Sequence, residues 1–187
     1  ELVFAHFFSL SRDVQRSNFE LRAADGDFKK LKKAYAGGQQ LRGKTLGILG
    51  FGRIGVESAR IGLGLGMDVR PVDLIKERED ITIDFMGGQK ATIGVPVVSM
   101  EKMLAEADYI TIHVPGGNLI GAGELAKMKD GVILANTSRG GVINEDALIE
   151  ALNSGKVRGA ALDGLWLLYT SPTPRDRTNT RMPSSGD

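Results

Sequence analysis

Cysteine is absent from the 187 residues of this chain, and histidine occurs only twice, as His6 and His113. A chain without cysteine has no disulfide framework, no thiolate metal site and no cysteine nucleophile. Two histidines are too few for a histidine-rich metal centre. The composition therefore predicts a site without a bound metal ion.

Long hydrophobic runs are absent as well, since no apolar stretch has the roughly 18 residues that a membrane span requires. Residues 1–8, apolar except for Glu1 and His6, lack the basic segment of a signal peptide and are soon followed by Ser11, Arg12 and Asp13. We therefore expect a cytoplasmic protein with no membrane partner. The chain does not begin with Met, which indicates a fragment of a longer protein.

An excess of either charge is also missing, because 24 basic residues are balanced by 23 acidic ones. This balance does not predict a nucleic-acid partner. The lysine-rich patch over residues 29–33 has no interleaved aromatic side chains, so a solvated surface is favoured there over a nucleic-acid groove. A hydrophobic content of 42% at this length suffices for the core of one domain.

Two kinds of periodicity divide the chain. Apolar residues at positions 3, 7, 10 and 14 predict one helix over residues 1–22, and a polar stretch follows to Gly43. From Thr45 onward, short apolar runs alternate with helical segments, which predicts βαβ units and an α/β fold with a doubly wound parallel sheet. The predicted strands are Thr45–Leu49, Asp68–Val72, Tyr109–Val114, Val132–Ala135 and Val157–Leu162. The predicted helices are Gly52–Leu65, Met100–Ala105, Gly121–Met128 and Asn144–Asn153, and a small hairpin turns at Gly87-Gly88.

A glycine motif of the form G-x-G-x-x-G, Gly50-Phe51-Gly52-Arg53-Ile54-Gly55, lies between a predicted strand and a predicted helix. Gly50 permits the tight turn, Gly52 lets the backbone approach a pyrophosphate, and Gly55 lets the helix pack closely on the sheet. The helix N-terminus adds free N–H groups and a positive dipole end. The motif predicts a dinucleotide site, the alternative being a glycine turn without a ligand.

An aspartate, Asp73, follows the next predicted strand, 18 residues after Gly55. A carboxylate at that position accepts hydrogen bonds from the adenosine ribose hydroxyls and repels a 2′-phosphate. Together with the glycine motif, Asp73 therefore predicts NAD rather than NADP. An exposed loop aspartate is the alternative.

Residues 38–45 also match the phosphate-loop pattern G-x-x-x-x-G-K-[ST]. A phosphate loop must follow a strand and open a helix. Here a polar linker precedes the pattern and a strand begins at Thr45, so Lys44 cannot lie at a helix N-terminus. A nucleoside triphosphate site is therefore not predicted.

An arginine, Arg139, lies in the segment Asn136-Thr137-Ser138-Arg139 that follows the predicted strand Val132–Ala135. The carboxyl end of a strand is the ligand side of an open α/β sheet. The guanidinium fork suits a carboxylate and can polarise a carbonyl during hydride transfer. An ion pair that braces the following helix is the alternative.

Longer segments resemble the D-isomer-specific 2-hydroxyacid dehydrogenases over about residues 1–163. They are residues 1–3 (ELV), 41–48 (LRGKTLGI), 107–115 (ADYITIHVP), 136–148 (NTSRGGVINEDAL) and 159–163 (GAALD). Residues 32–35 (KKAY) and 85–90 (FMGGQK) most resemble the D-3-phosphoglycerate dehydrogenase branch, which oxidises 3-phosphoglycerate in serine biosynthesis.

The resemblance implies an NAD-dependent oxidoreductase acting on a small 2-hydroxy or 2-keto acid. It implies a Rossmann-like NAD-binding domain over residues 45–163, preceded by an interdomain helix and linker over 1–44 and incomplete at both ends. Residues 164–187, with three of the six prolines, are expected to be a disordered or non-native tail. The implied site roles are Arg53 and Ile54 at the pyrophosphate, Asp73 at the adenosine ribose, Val114 at the adenine side, Thr137 and Asp163 at the nicotinamide carboxamide, and Arg139 as the catalytic arginine.

The chain departs from the family where the catalytic histidine is expected. Leu168 stands in place of the glutamate that tunes this histidine, and the segment carrying the histidine is absent. His113 precedes that segment and is not expected to replace it. We therefore expect the chain alone to be inactive, and a catalytically dead NAD-binding or dimerisation module, as in corepressor relatives, is the alternative function.

Four phenylalanines, Phe4, Phe7, Phe8 and Phe19, crowd the predicted N-terminal helix. In the family this helix and residues 15–40 pack across a two-fold axis. Because so many large apolar groups are difficult to hide on one exposed helix, we expect a homodimer. The alternative is that they cover the seat of a substrate domain.

Overall fold

A computed structural model describes residues 1–23 and 28–163 of the chain. The expected tail over residues 164–187, including Leu168, lies outside the described residues. The helices are α1 (Leu2–Arg12), α2 (Val14–Ala23), α3 (Phe28–Ala34), α4 (Arg53–Gly64), α5 (Met100–Glu106), α6 (Ala122–Lys127) and α7 (Glu145–Asn153). The strands are β1 (Thr45–Leu49), β2 (Asp68–Val72), β3 (Arg78–Asp84), β4 (Lys90–Pro96), β5 (Tyr109–Ile112), β6 (Val132–Asn136) and β7 (Val157–Leu162).

Five strands form one parallel sheet in the order β2-β1-β5-β6-β7, which confirms the predicted doubly wound parallel sheet. The chain adds β2 on one side of β1 and then crosses to place β5 on the other side. In open α/β sheets, ligands bind beyond the carboxyl ends of the strands where the order reverses in this way. Gly50 follows β1 and His113 follows β5, so these two residues flank the reversal point.

Helices cover both faces of the sheet. On one face, Phe7 of α1 packs in a core with Tyr109 of β5, and on the other face Met103 and Leu148 pack with Ile110 of the same strand. Neighbouring strand residues enter different cores because successive side chains point to opposite faces. Since both faces are covered, β5 and β6 are buried along their whole length, as expected for parallel strands.

The predicted single helix over residues 1–22 is wrong at Asp13. This residue has φ 50°, a left-handed conformation that ends α1, and α2 begins at the next residue. Aspartate is one of the few side chains that adopt this conformation readily. Because the chain turns there, Val14 is 52% exposed although the periodicity had placed it on the buried face with Phe7. The polar stretch that follows also contains α3, which was not predicted.

Two of the four N-terminal phenylalanines are buried within the chain. The ring of Phe7 makes edge contacts with Phe4 and Tyr109, at centroid distances of 5.9 and 5.1 Å. Phe8 and Phe19 are 44% and 74% exposed. Because α1 packs on the sheet, Phe4 and Phe7 are hidden within one chain, and of the four phenylalanines Phe8 and Phe19 are left exposed.

The remaining predicted elements agree closely with the structure. β1, β2 and β7 coincide with their predicted ranges, and β3 and β4 form the predicted hairpin around Gly87 and Gly88, whose φ angles are 99° and 85°. β5 ends at Ile112, two residues early, so His113 and Val114 lie in the loop beyond the strand. Among the described helices, none is long and apolar enough to cross a membrane.

Candidate functional site

Glycines shape the turn from β1 into α4. Gly50 has φ 95°, and a Cβ there would lie 2.8 Å from the carbonyl oxygen of His113. A Cβ on Gly55 would collide with the carbonyl oxygen of Gly50. At Gly52, just before α4, a Cβ would meet no other atom of the described residues within 4 Å. The first turn of α4 therefore adjoins open space at Gly52, the arrangement that an anion at a helix N-terminus requires.

Asp73 follows β2, and its carboxylate binds the backbone of the glycine turn. Oδ2 accepts a hydrogen bond from the Phe51 N–H at 2.9 Å, and Oδ1 accepts from Ile75 and Lys76 at 2.9 and 3.1 Å. These hydrogen bonds hold the pKa of Asp73 below its ordinary value, and the bond from the Ile75 N–H has the largest effect. The carboxylate is therefore ionised at neutral pH, and because each oxygen has two lone pairs, Oδ2 can accept one more donor.

A cavity of about 560 Å³ opens beyond the carboxyl ends of β1, β2 and β5. Four of the predicted site residues line it, namely Gly50, Gly52, Asp73 and Val114. The sequence analysis missed the other walls, among them Leu74, Ile75, Met100, Leu119 and Glu124. Leu74 and Ile75 could have been found from the sequence, because two large apolar residues directly follow Asp73 outside any predicted strand or helix. The structure leaves both almost fully exposed.

A second cavity, of about 310 Å³, adjoins the first and shares His113, Val114 and Pro115 with it. The predicted residues Ile54, Thr137 and Arg139 line this second cavity. Together the two cavities form one cleft along the carboxyl edge of the sheet, which we call the edge cleft. It leads from Asp73 at one end to Arg139 at the other.

Asn136, the last residue of β6, shapes the loop that carries Arg139. Its Oδ1 accepts hydrogen bonds from the Ser138 N–H and hydroxyl at 3.1 and 2.8 Å, and its Nδ2 donates to the Arg139 carbonyl at 2.8 Å. The Arg139 guanidinium is exposed and donates to the Ser138 carbonyl at 3.1 Å. No carboxylate pairs with it among the described residues, which leaves most of its donors available for an anionic ligand.

His113 lies at the middle of the edge cleft, in both of its cavities. Its Nε2 is 3.0 Å from the hydroxyl oxygens of both Ser58 and Thr111. Burial lowers the pKa of His113 to about 4, because desolvation disfavours the charged imidazolium. A neutral imidazole held by these two hydroxyls links the side chains of α4 and β5 and is poorly suited to donate a proton at neutral pH.

Three predicted residues, Gly55, Arg53 and Asp163, do not line the edge cleft. Gly55 is buried in the first turn of α4. Arg53 is exposed at the first residue of α4. Asp163, the last described residue, donates its N–H to the Asn136 carbonyl at 2.9 Å and borders a small separate cavity. Within the described parts of the chain there is also no group of three side chains suited to hold a metal ion.

Comparison with known proteins gives a family match along most of the chain. The family model described as D-isomer specific 2-hydroxyacid dehydrogenase, NAD binding domain, matches residues 4–184. Hydroxypyruvate reductase of Thermotoga maritima is 36% identical over 167 residues, which are 87% of this chain and 49% of that protein. D-3-Phosphoglycerate dehydrogenase of Bacillus subtilis is 39% identical over 168 residues, 87% of this chain and 29% of that protein.

Solved structures show the same likeness. The D-lactate dehydrogenase of Aquifex aeolicus, complexed with NAD and lactic acid, superposes with a TM-score of 0.69 at 28% identity. The match covers 97% of this chain and 51% of that one. The chain thus spans about half the length of this structure and less than half of the two sequence relatives.

Proposed function

The chain belongs to the D-isomer specific 2-hydroxyacid dehydrogenase family, and we propose on that premise that it forms the cofactor-binding part of an oxidoreductase acting on small 2-hydroxy and 2-keto acids. The observation that supports this function best is the edge cleft. It has a glycine turn and Asp73 at one end, and at the other Arg139, which has no carboxylate partner among the described residues. In such a cleft a cofactor and an acid substrate can meet end to end.

The cofactor of this family domain is NAD, and the residues present fit it. The open space at Gly52 accommodates a pyrophosphate against the N-terminus of α4. We propose that Gly50, Gly55, Arg53 and Ile54 complete that end, and that Asp73 accepts a ribose hydroxyl. Further along, Val114 would line the adenine side and Thr137 and Asp163 the nicotinamide side. Bound NAD supplies a hydride acceptor, whereas this chain binds and orients it.

Titration calorimetry of NAD and NADP on the 187-residue chain tests the cofactor assignment. We expect NAD to bind more tightly, because the ionised Asp73 repels a 2′-phosphate. Asp73→Ala should weaken NAD binding about 10- to 100-fold, the loss expected when a charged hydrogen-bond acceptor is removed. Asp130→Ala, an exposed aspartate away from the cleft, is the control. Equal or tighter binding of NADP by the unaltered chain would contradict the assignment.

The substrate we propose is D-3-phosphoglycerate, in serine biosynthesis in the cytoplasm. The sequence segments quoted above support this choice, and relatives named for hydroxypyruvate and glyoxylate define the competing substrates. Arg139 would bind the carboxylate and polarise the carbonyl at carbon 2. Asn136 holds the loop that carries Arg139 at the cleft. Among the described residues, the Arg139 guanidinium has no carboxylate partner.

Steady-state kinetics on the full-length protein that contains this chain decide among the substrates. We expect the highest kcat/KM with 3-phosphoglycerate, and a loss of about 10²- to 10³-fold in Arg139→Gln, as for other groups that stabilise developing charge. Lys102→Gln, which removes an exposed charge on α5, should leave the rate unchanged. A higher kcat/KM with glyoxylate or hydroxypyruvate would exclude phosphoglycerate as the substrate.

We also propose that the protein is a homodimer. Exposed apolar side chains lie on α2 and α3, including Val14, Phe19 and Phe28, and an isologous contact would bury them. Phe19→Ser should shift sedimentation toward the monomer at micromolar concentration. Phe85→Ser, at the tip of the β3–β4 hairpin, removes another exposed ring, 51% exposed against 74% for Phe19, and should leave the dimer intact. A monomer in the unaltered protein would disprove this assembly.

A further inference from the structure

A separate cavity lies at the opposite edge of the sheet from the edge cleft. It measures about 430 Å³, is open to solvent, and is lined by the end of α1, the segment before β1 and the turn from α4 to β2. These segments precede β1 and β2, whereas the edge cleft lies beyond the carboxyl ends of the same strands. Because β1 has five residues, the two sites are separated by about 16 Å of strand.

Two arginines, Arg12 and Arg42, line this cavity, which we call the Arg12–Arg42 cavity. No aspartate or glutamate is among its lining residues. Within the residues that the structure describes, neither guanidinium has an ion pair or donates a hydrogen bond. Two permanent positive charges thus face one cavity without a compensating carboxylate.

A glycine, Gly38, makes room for the Arg12 side chain. A Cβ on Gly38 would lie 2.9 Å from Nε of Arg12, closer than a Cβ atom approaches another heavy atom in proteins. At Gly66, by contrast, a Cβ would lie 3.4 Å from Cγ of Arg42, an ordinary van der Waals contact. The position of Arg12 therefore depends on the absence of a side chain at residue 38.

The nearby helix ends do not use the guanidinium groups. Asp13 donates its N–H to the Ser9 carbonyl at the end of α1, and Gln39 donates to the Ser11 carbonyl at 2.9 Å. At the end of α4, Leu65 donates to the Ile61 carbonyl at 3.0 Å. Because backbone donors satisfy these carbonyls, the donors of both arginines remain available for a ligand.

We propose that the Arg12–Arg42 cavity binds a small molecule carrying an oxyanion, a phosphate group or a carboxylate. Guanidinium groups recognise such oxygens with two parallel hydrogen bonds, and the amides of Gln39 and Gln40 add further donors. Phe8, which is 44% exposed, offers an apolar wall for the rest of the molecule. The volume is within the range of about 300–1,000 Å³ typical of small-molecule sites.

The phosphate-loop pattern over residues 38–45 contributes to this cavity without forming a phosphate loop. β1 begins at Thr45, so the pattern opens a strand and Lys44 precedes it. Gln39, Gln40 and Arg42 of the same segment nevertheless line the Arg12–Arg42 cavity. An oxyanion would therefore be held by side chains of this segment and not by a glycine-rich backbone.

Phenyl phosphate is a suitable probe, because it joins a dianion to an aromatic ring. We would follow the arginine side-chain Nε–Hε NMR resonances of the 187-residue chain, with excess NAD present to occupy the edge cleft. The Arg12 and Arg42 resonances should shift together and saturate, with a dissociation constant of about 1 mM or lower. Arg12→Gln and Arg42→Gln should each weaken binding about tenfold.

Matched variants separate geometry from charge. Gly38→Ala displaces Arg12 without changing the charge and should raise the dissociation constant, whereas Gly37→Ala, with no other atom of the described residues near its Cβ position, should not. Three results would each overturn the assignment. The first is that the arginine resonances show no saturable shift up to about 10 mM phenyl phosphate. The second is that Lys102→Gln weakens phenyl phosphate binding as much as the arginine variants do. The third is a change in sedimentation coefficient in the arginine variants, which would show that a second copy covers the cavity.

Discussion

His113 should make the stability of this protein depend on pH between about 6.5 and 4. Burial lowers the pKa of His113 from 6.5 to about 4. Between these two pH values the imidazole is protonated in the unfolded chain and neutral in the native chain. The folded-state pKa lies below the unfolded value. The contribution of His113 to the free energy of unfolding is therefore fully present above pH 7. It decreases as the pH falls below 6.5 and does not decrease further below pH 4.

The size of the effect follows from the same two values. A pKa lowered from 6.5 to about 4 corresponds to about 3 kcal/mol in total. At pH 5 most unfolded chains carry the proton and few native ones do, so about 2 kcal/mol should be lost between pH 7 and pH 5. For a domain of this size, such a loss is a large part of the net stability.

Urea denaturation at pH 7, 6 and 5 measures this loss directly, with the slope of free energy against urea checked for constancy. His113→Asn should keep a partner for the Ser58 and Thr111 hydroxyls and abolish the decline over this range. His6→Asn removes the other histidine of the chain and should leave the decline intact. If the unaltered chain is equally stable at pH 7 and 5, or if His113→Asn declines as steeply, the reasoning from burial is wrong.

Three further predictions concern packing, the glycine turn and turnover. Phe7→Ala should lower the free energy of unfolding by about 3–5 kcal/mol because the ring is fully buried. Phe8→Ala, at an exposed ring, should lower it by less than about 1 kcal/mol, and urea denaturation of the two variants measures the difference. Gly55→Ala should abolish NAD binding in calorimetry because its Cβ meets the turn carbonyl, whereas Gly123→Ala, in open space within α6, should bind normally. The 187-residue chain alone should not oxidise NADH with 2-keto acids in an absorbance assay, because His113 is neutral and held by two hydroxyls; robust turnover would refute this.

Local features of the sequence predicted most of the sheet and one end of the site. Apolar runs such as Thr45–Leu49 predict buried strands because the period of side chains along a strand is a property of adjacent residues. The turn at Gly50 was predictable for the same reason, since its positive φ needs a glycine whatever surrounds it. Asp73 could be placed at the end of β2 by counting along one βαβ unit.

The break at Asp13 shows where periodicity fails. An apolar spacing continues through this residue, but a left-handed conformation there redirects α2 away from the sheet. The burial of Phe7 against Tyr109 could not be predicted either, because it joins residues about a hundred positions apart. Sequence spacing carries no information on such contacts unless the order of the strands is known.

By itself, the sequence determined the fold class, the dinucleotide turn and the chemical character of Asp73 and Arg139. Only the tertiary structure decided which of these residues share a space. The crossing from β2 to β5 opens the edge cleft and places His113 at its centre, where burial and not residue type lowers the pKa. The same folding brings Arg12 and Arg42 to one cavity, because the proximity of residues distant in sequence depends on how helices and strands pack together.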